Sequence, residues 1–498
     1  MKRFFSSRNK DYSVTAPEAV IRGLSPDGGL YTPKYIKEAG LPLNSLRNLS
    51  YIALAEKVMG AVLSDYTQEE ISKAVQAAYR DNFSTPEVTP VSFLEKDGLL
   101  ELYHGPTSAF KDVALTVLPH LLTTAYAKTG EDKQVLILTA TSGDTGKAAL
   151  EGFKDVKNTH IIVFYPSEGV SDTQKLQMQT TGGSNTHVVA VKGDFDDCQR
   201  LVKSCYQDER VQAACGNKVV LSSANSINIG RLVPQIVYYF KAYFEMVDHG
   251  QIEFGQPVHF VVPTGNFGDI LAGHYAKELG CPIGKLICAS NANRVLTDFL
   301  QTGTYDRRRT FYKTTSPSMD ILVSSNLERM LFETSGYDGN LIRSYLQQLN
   351  EEGHYSVTPE ILSKLQKEYE GYCTQEGQVS ETIAEVFEQY KKLIDPHTAV
   401  AVNAMKQFRK AHPEDHTPCV VLSTASAYKF SRAVLQSLIN NVPEDDFACM
   451  EALHELTGEP IPENLACLRT LPVRHDTVIK QSEGIDTVVN YIQEVCHV

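Results

Sequence analysis

Short apolar runs alternate with amphipathic stretches along the chain from about residue 90 onward. Each run is rich in β-branched residues and is largely apolar on both faces, as expected for a parallel strand that helices cover on both sides. This alternation predicts an α/β fold with right-handed βαβ units and a doubly wound sheet. The predicted strands cover residues 135–138, 161–164, 188–191, 219–221, 258–262, 285–288 and 419–422.

The two ends of the chain and one internal stretch depart from this alternation. Residues near the N-terminus have the pattern of helices and turns. Residues 330–395 show no strand signal, and Leu362, Leu365, Tyr369 and Tyr372 recur at helical spacing, which predicts a helical insertion. We therefore expect an N-terminal segment (1–85), a central region (86–440) with a smaller α/β subdomain at about 100–220 and a larger one in the remainder, and a C-terminal tail (441–498) that packs on the larger subdomain.

Composition and charge exclude several classes of protein. The 498 residues include 47 Lys and Arg against 60 Asp and Glu, so the net charge is 47 − 60 = −13, which argues against a nucleic-acid surface. No apolar run reaches the roughly 18 residues that a membrane-spanning helix needs. Ten scattered cysteines show neither a zinc pattern nor a disulfide framework, so we expect reduced thiols, no metal site and a cytoplasmic location. The N-terminus lacks the apolar stretch of a secretory signal, and we expect it to begin the mature fold.

Polar loops follow several of the predicted strands. In open α/β sheets, ligands bind at the carboxyl edge of the strands, so these loops predict one shared site. The loops cover residues 141–146, 223–228, 263–269 and 423–426.

The loop at residues 265–268 (GNFG) lies between a predicted strand and a predicted helix. Glycines let backbone N–H groups approach an anion closely, and the helix N-terminus adds about half a positive charge, so the loop fits a phosphate group. It is neither a dinucleotide fingerprint nor a Walker loop, because G-x-G-x-x-G and Gly-Lys-Ser/Thr are both absent. The alternative is an ordinary turn.

Two further motifs could serve either a chemical function or an ordinary structural one. Ser142, Gly143, Asp144 and Thr145 could hold a carboxylate or phosphate with their hydroxyl and amide groups, or could cap the following helix. Lys111 lies where a loop enters a predicted helix, and a lysine there is ordinarily a charged surface residue. Nucleophilic use would require burial and a nearby positive helix end to lower its pKa.

Seven segments of the chain form a set of motifs in a fixed order. They are residues 6–8 (SSR), 26–31 (PDGGLY), 104–112 (HGPTSAFKD), 142–146 (SGDTG), 225–231 (NSINIGR), 263–269 (PTGNFGD) and 315–321 (TSPSMDI). Together they resemble the motifs of the threonine synthases, which are fold-type II pyridoxal-phosphate enzymes. The resemblance extends from residue 4 to about residue 430 and implies two doubly wound, mostly parallel-sheet domains with an N-terminal helical segment and a helical insertion.

The resemblance implies pyridoxal 5′-phosphate as the cofactor and a role for each motif. Lys111 would hold the cofactor covalently and act as the catalytic base, and Thr424 would donate its hydroxyl to the pyridine nitrogen. The other implied cofactor-binding residues are Gly265, Asn266, Phe267, Gly268 and Asp269. The implied substrate-binding residues are Ser142, Gly143, Asp144, Thr145, Asn225, Ser226 and Arg231.

The implied substrate is O-phospho-L-homoserine, and the implied products are L-threonine and phosphate. In this reaction phosphate leaves the γ-carbon and water adds at the β-carbon. A chain of net charge −13 repels the substrate phosphate at long range, so local donors must bind it. Arg231 is the leading candidate, because a guanidinium binds phosphate in bidentate fashion. We expect a monomer, with a dimer as the alternative.

Two other functions stay open on the sequence. The chain could be a phospholyase with the same cofactor that releases a 2-keto acid and ammonia from phosphorylated threonine or homoserine, or a non-catalytic protein that retains the fold. The segment 423–430 (STASAYKF) departs from the family's usual Ser-Thr-Ala-His-Pro-x-Lys-Phe, because Ser426 and Ala427 replace His and Pro. Ile229 stands where Trp is common.

Overall fold

The computed structural model of the protein describes residues 3–130, 133–141, 143–168 and 170–495. The strands in these ranges are β1 Phe4–Ser6, β2 Asn9–Val14, β3 Tyr31–Pro33, β4 Val91–Leu94, β5 Asp97–Glu101, β6 Gln134–Ala140, β7 Thr159–Pro166, β8 Thr186–Lys192, β9 Val219–Ser222, β10 Val258–Pro263, β11 Ile283–Ser290, β12 Thr304–Asp306, β13 His354–Ser356, β14 Tyr369–Cys373, β15 Cys419–Ser423 and β16 Val478–Lys480.

Helices connect most of these strands. They are α1 Ala16–Arg22, α2 Tyr51–Val62, α3 Gln68–Tyr79, α4 Lys111–Leu115, α5 Leu118–Thr129, α6 Asp144–Phe153, α7 Asp172–Gln179, α8 Phe195–Gln207, α9 Glu209–Cys215, α10 Ile229–Asp248, α11 Gly268–Glu278, α12 Val295–Thr302, α13 Leu327–Thr334, α14 Gly339–Glu351, α15 Pro359–Glu368, α16 Glu376–Tyr390, α17 Pro396–Ala411, α18 Ser431–Leu438, α19 Asp446–Thr457, α20 Glu463–Ala466 and α21 Gly484–Val495. None of the described helices combines the length and the apolar character needed to cross a membrane.

Two mostly parallel sheets lie at the centre of the molecule. The larger has six strands in the order β14-β11-β10-β15-β5-β4, in which β4 is antiparallel to β5. The smaller has five parallel strands in the order β16-β8-β7-β6-β9. The predicted α/β fold with two mostly parallel sheets is therefore confirmed, and each of the seven predicted strands is present.

Helices cover both faces of each sheet, which explains the continuous apolar runs in the sequence. In β6, Ile137 packs into one buried cluster and Leu138 into another on the opposite face. In β10, Phe260 and Val261 divide between two clusters in the same way. Side chains of successive residues in a strand point to opposite faces, so a strand that is buried on both sides is apolar at nearly every position.

The N-terminal segment contains a small sheet that the sequence did not predict. Strands β1, β2 and β3 form a three-stranded antiparallel sheet in the order β2-β1-β3 beside helices α1 to α3. The expectation of helices and turns alone is therefore wrong for residues 1–85. The strands are short, and β2 is largely exposed and polar, so it lacks the alternating pattern that marks a strand in a sequence.

The stretch 330–395 is mostly helical but is not free of strands, which corrects the prediction. Leu362 and Leu365 lie in α15, whereas Tyr369 and Tyr372 lie in β14, which pairs in parallel with β11 at the edge of the larger sheet. The helical spacing of these four residues therefore ends at Glu368. A Cβ atom on Gly371 would lie 2.9 Å from the Cα atom of Thr297, so β14 approaches α12 more closely than a longer side chain would allow.

The C-terminal tail divides between the two sheets, which corrects the expectation that it packs on the larger subdomain. Helix α19 belongs to the cluster of the larger sheet and contacts α18. Strand β16, in contrast, adds to the smaller sheet beside β8, and α21 packs on α8 and α9. A three-residue strand gives almost no sequence signal, so only the fold reveals its partner. The division of the chain at residues 85 and 440 stays a prediction.

Candidate active site

Lys111 is the first residue of α4, at the end of the loop that follows β5 of the larger sheet. Its side chain is buried, and its Nζ atom lies 3.3 Å from Ser318 Oγ, 3.9 Å from the Asp144 carboxylate and 4.7 Å from the centre of the Phe110 ring. Burial lowers the pKa of Lys111, the nearby Asp144 opposes that shift, and the cations of Lys429 and Arg231 add to it. The ordinary interpretation of a surface lysine is therefore wrong.

The glycine loop between β10 and α11 lies close to Lys111. A Cβ atom on Gly265 would lie only 2.7 Å from the carbonyl oxygen of Ser318, the residue that contacts the Lys111 amine. Phe267 has a φ angle of 62°, and this left-handed residue turns the chain into α11. The first-turn N–H groups of a helix lack intrahelical acceptors, so α11 presents anion-binding donors at this loop. Ser318 thus brings the predicted nucleophile and the predicted phosphate loop together.

Asp269 follows the glycine loop and is buried beneath it. One carboxylate oxygen accepts hydrogen bonds from the hydroxyl groups of Tyr238 at 2.5 Å and Tyr239 at 3.0 Å, and the other has no partner among the described residues. Burial raises the pKa of Asp269 to about 6, although the two tyrosines and Lys111 counteract that shift. Asp269 therefore lies at the predicted cofactor site with an oxygen that is still free to bind a ligand.

The loop between β6 and α6 provides the opposite wall of the site. The hydroxyl of Thr141 accepts hydrogen bonds from the N–H groups of Gly143 and Gly146, each at 3.0 Å, and so fixes the start of α6. Gly143, Asp144 and Thr145 lie at this helix N-terminus, where backbone N–H groups can bind an anion. Ser142, the fourth predicted residue of this loop, lies outside the described residues.

Asp144 itself is occupied by cations and amides rather than exposed to a ligand. Its Oδ1 atom lies 2.7 Å from Nζ of Lys429 and accepts a hydrogen bond from Gln174 at 3.0 Å. Burial alone would raise the pKa of Asp144, but Lys429 and Lys111 outweigh burial and hold the pKa well below its usual range. Asp144 is therefore ionised at neutral pH, and any contact with a substrate anion must come from its backbone.

Thr424 lies at the end of β15, beside the Lys111 loop. Its carbonyl oxygen accepts a hydrogen bond from the N–H of Phe110 at 2.8 Å, and Ala425 forms a bridge with Ala109. The backbone of this segment thus fixes the residue that precedes Lys111. The predicted contact of the Thr424 hydroxyl with a cofactor nitrogen stays a prediction.

Arg231 lies in the first turn of α10, after the loop that contains Asn225 and Ser226. It is buried, and its Nη1 atom donates to the Ala224 carbonyl at 2.8 Å, whereas its Nε atom has no partner in the part of the chain that the structure describes. Among the described residues, no carboxylate forms an ion pair with it, and burial lowers the pKa of Arg231 to about 10. A buried cation without a counterion is costly, so this guanidinium is suited to bind an anion.

Asn326 joins the two anion-binding loops. Its side-chain amide donates to the carbonyl oxygens of Asn266 at 2.9 Å and Ser226 at 3.4 Å. Its own amide oxygen accepts from the buried guanidinium of Arg329. The two loops that Asn326 joins follow β9 of the smaller sheet and β10 of the larger sheet, at the carboxyl ends of these strands. Asn225, in contrast, is exposed and lines a cavity with Tyr206, and no described contact joins it to the other predicted site residues.

The sequence analysis did not identify three candidate functional residues, Ser318, His397 and Lys429, although Ser318 and Lys429 lie in recognised motifs. Ser318 contacts Lys111, and the N–H of Ser318 donates to Nε2 of His397 at 3.2 Å. Because Nε2 accepts this bond, Nδ1 of His397 carries the proton and donates to Asp395 at 2.5 Å. Lys429 pairs with Asp144 across the site. Ser318 and Lys429 were visible as motif members in 315–321 and 423–430, but no sequence pattern shows that residues so far apart in the chain are in contact.

The structure explains the departure at Ser426. Its hydroxyl accepts a hydrogen bond from the N–H of Tyr428 at 3.3 Å and caps the short 3-10 helix Ala427–Phe430, while its own N–H donates to Ser108 at 3.1 Å. Serine is among the preferred helix-capping residues. The substitution therefore preserves the helix that positions Lys429.

Comparisons with known proteins identify the family of the chain. The family described as "Pyridoxal-phosphate dependent enzyme" matches residues 99–424, "Threonine synthase N terminus" matches residues 3–79, and "Threonine synthase, C-terminal" matches residues 398–492. A crystal structure titled as a PLP-bound threonine synthase from Brucella melitensis superposes with a TM-score of 0.87 at 34% identity, and the match covers 100% of both chains.

Sequence relatives give the same family at higher identity. Threonine synthase from Pseudomonas aeruginosa is 38% identical over 89% of this chain and 91% of its own length. "Threonine synthase-like 1" from Macaca fascicularis is 40% identical over 84% of this chain. The matched region spans 58% of the length of that longer relative.

Proposed function

This chain belongs to the threonine synthase family of pyridoxal-phosphate-dependent enzymes, and we propose that it converts O-phospho-L-homoserine and water into L-threonine and phosphate. One observation supports this proposal most directly. A buried amine, Lys111, shares Ser318 as a neighbour with a glycine loop at a helix N-terminus. It also lies near enough to the buried guanidinium of Arg231 for that cation to lower the pKa of Lys111, and Arg231 has no carboxylate partner among the described residues. The reaction needs these three features: attachment of the cofactor, a cradle for its phosphate and a site for the substrate phosphate.

The residues present fit pyridoxal phosphate. The close approach of Gly265 to Ser318 leaves room for backbone but not for a side chain, and the amides of residues 265–268 would hold the cofactor phosphate with the positive end of α11. Lys111 would attach the cofactor, and Thr424 would contact its ring. When bound, the cofactor supplies an electron sink for the charge that develops at the substrate α-carbon.

Arg231 and the two flanking loops would orient the substrate. The unpaired Nε atom of Arg231 would donate to the substrate phosphate, together with Asn225 and Ser226 in the preceding loop. The backbone amides of Gly143, Asp144 and Thr145 would hold the substrate carboxylate. This division places the two anionic groups of one small molecule at two separate helix N-termini, α10 and α6.

Lys111 would move the protons. Once the substrate amine has displaced it, the uncharged Lys111 amine can accept the proton from the α-carbon, and its lowered pKa keeps more of it uncharged at neutral pH. Arg231 would stabilise the charge on the phosphate as the bond to the γ-carbon breaks. The β-carbon loses a proton as phosphate leaves the γ-carbon, and the γ-carbon then gains one. Water adds its hydroxyl to the β-carbon and a proton to the α-carbon, so that phosphohomoserine and water balance threonine and phosphate.

The test is a steady-state assay of the purified, cofactor-loaded chain with O-phospho-L-homoserine. We expect equal amounts of L-threonine, identified by chiral amino-acid analysis, and inorganic phosphate. Release of a 2-keto acid with ammonia in place of threonine would identify a phospholyase and contradict the proposed reaction. Absence of turnover with either O-phosphohomoserine or O-phosphothreonine would favour a non-catalytic protein.

We also propose that the protein is a monomer in the cytoplasm. The nine cysteines that the structure describes are all unpaired thiols, and seven of them are buried, which supports a reducing compartment. Cys496 lies outside the described residues. Sedimentation of the purified chain tests the proposed state, because a dimer would double the mass from 55.2 kDa.

A further inference from the structure

Lys429 is a buried lysine at the active site that the proposed reaction does not use. Its side chain is fully buried, and its Nζ atom lies 2.7 Å from Asp144 Oδ1 and donates at 2.8 Å to the carbonyl oxygen of Thr107. Asp144 belongs to the smaller-sheet side of the site, and Thr107 belongs to the Lys111 loop. Lys429 therefore ties together three segments that are distant in the sequence.

Lys429 and Lys111 share one carboxylate. Lys429 contacts Oδ1 of Asp144, whereas Lys111 faces Oδ2 at 3.9 Å, which is longer than a hydrogen bond. Gln174 donates to the same oxygen that Lys429 contacts and fixes the orientation of the carboxylate. Without Lys429, a single buried carboxylate would face a single buried amine, an arrangement that favours the ammonium form of that amine.

The remaining charged groups that face Lys111 cannot replace Lys429. Arg231 is also a cation, but it is expected to be neutralised by the substrate phosphate when the site is occupied. The Asp112 carboxylate is held by the hydroxyl and N–H groups of Thr107 at 2.6 and 2.8 Å, and Asp269 is held by two tyrosines. Among the described residues, Asp144 is the carboxylate that lies within 4.0 Å of the Lys111 amine.

We propose that Lys429 is a positioning residue that binds the Asp144 carboxylate and thereby keeps the Lys111 amine uncharged and available for cofactor attachment. The proposal rests on the proposed function, since it assigns Lys429 to the attachment step at Lys111. It also explains why Asp144 can lie beside Lys111 without forming a close ion pair with it. Lys111, Asp144 and Lys429 are all buried, so their charges interact strongly with one another and are little screened by solvent.

Cofactor attachment to the cofactor-free protein gives a direct test. Only an uncharged amine attacks the pyridoxal-phosphate aldehyde, so the attachment rate, followed by absorbance, reports the protonation of Lys111 as pH changes. In Lys429→Met we expect the midpoint of this pH profile to rise by about one unit or more, with a roughly tenfold slower rate at pH 7. Lys429→Arg should restore most of the rate, because it restores the cation.

Lys147→Met is the matched control. Lys147 is also buried and also pairs with a carboxylate, Glu151, at 2.5 Å, but its ammonium contacts Thr181 rather than any residue that touches Lys111. We expect its pH midpoint to match that of the wild type. An unchanged midpoint in Lys429→Met, or an equal shift in Lys147→Met, would overturn the proposal. Circular dichroism of each variant verifies that it is folded.

A second variant keeps the proposal falsifiable if Lys429→Met does not fold. Asp144→Asn removes the attraction between the carboxylate and the Lys111 ammonium, so we expect its pH midpoint to fall below that of the wild type. A rise or no change would contradict the proposal. If the wild type itself attaches no cofactor at Lys111, the proposed function fails; if it does and the midpoints do not shift, only the assignment of Lys429 fails.

Discussion

Arg231 and Arg329 are both buried arginines near the active site, and they differ in how many of their donors have a partner. Arg329 donates from Nε to the Tyr31 carbonyl at 2.9 Å, from Nη2 to the Ile227 carbonyl at 2.6 Å and from Nη1 to the Asn326 side chain. Among the described residues, Arg231 makes one side-chain hydrogen bond, to the Ala224 carbonyl, and its Nε atom has no partner. Buried polar groups in folded proteins normally have partners, so each exception needs an explanation.

The contrast extends to the neighbours of each arginine. Beside Arg329, Glu328 accepts hydrogen bonds from Ser7 at 2.5 Å and from two atoms of Arg8, each at 2.9 Å, which links the N-terminal segment to α13. We call Arg329, Glu328 and Asn326 the closed group, because their hydrogen bonds are made within the protein. Lys111, Arg231 and Asp269 form the open group. Within the described residues, the nearest carboxylate to the Lys111 amine is 3.9 Å away, and one polar atom each of Arg231 and Asp269 has no hydrogen-bond partner. We propose that the closed group stabilises the fold and that the open group binds ligands.

The largest expected effect is the loss of activity in Lys111→Ala, which removes the reactive amine of the open group. We expect turnover to fall by roughly 10³-fold or more. Thermal stability should stay close to that of the wild type, because the one hydrogen bond that the Lys111 side chain makes among the described residues is a long one, at 3.3 Å to Ser318. Steady-state rates and a melting curve of the same preparation test this. Substantial residual turnover would contradict the assignment.

Arg231→Met should separate binding from stability. Loss of charge-assisted hydrogen bonds to the substrate phosphate should reduce kcat/KM by about 100-fold, with cofactor attachment retained. The free energy of unfolding should not fall, because the substitution removes a buried charge that has no counterion. Steady-state kinetics measure kcat/KM, and denaturant unfolding measures the free energy of unfolding. A marked destabilisation would show that Arg231 stabilises the fold, as the residues of the closed group do.

Arg329→Met should lower the stability of the fold and leave cofactor attachment intact. It removes the donor from two buried acceptors and one that is part-buried. At about 1 kcal/mol or more for each buried acceptor, we expect a loss of about 2 kcal/mol or more in the free energy of unfolding. The cofactor should still attach to Lys111 at temperatures well below the unfolding transition. Unaltered stability in Arg329→Met would remove the distinction between the two groups.

The smallest expected effect is a pH dependence from Asp269. Burial raises the pKa of Asp269 to about 6, above its ordinary value of about 3.9. The contribution of Asp269 to stability therefore decreases as pH rises through this range, because the carboxyl group must ionise while buried. Between pH 5 and pH 7 this loss amounts to about 1 kcal/mol. Asp269→Asn does not titrate, so its stability relative to the wild type should increase by that amount. A constant difference across this range would contradict a raised pKa.

Sequence patterns predicted the buried parallel strands well, because a strand that is apolar on both faces has few other possible environments. The same patterns failed for β2, which is exposed and polar, and for β14, whose tyrosines continue the spacing of the preceding helix. Motifs likewise identified Lys111, Gly265 and Arg231 as candidates but could not show that the first two share Ser318 as a neighbour. Contacts such as Lys429 with Asp144 arise from the packing of distant segments, which a single sequence does not display.

The central claim is that pyridoxal phosphate attaches to Lys111, and borohydride reduction of the cofactor-loaded protein followed by peptide mapping tests it most directly. Reduction makes the bond between the amine and the cofactor permanent. We expect one phosphopyridoxyl group per chain, on the peptide that contains Lys111. A label on Lys429, the other buried lysine that contacts Asp144, or no label at all would contradict the account.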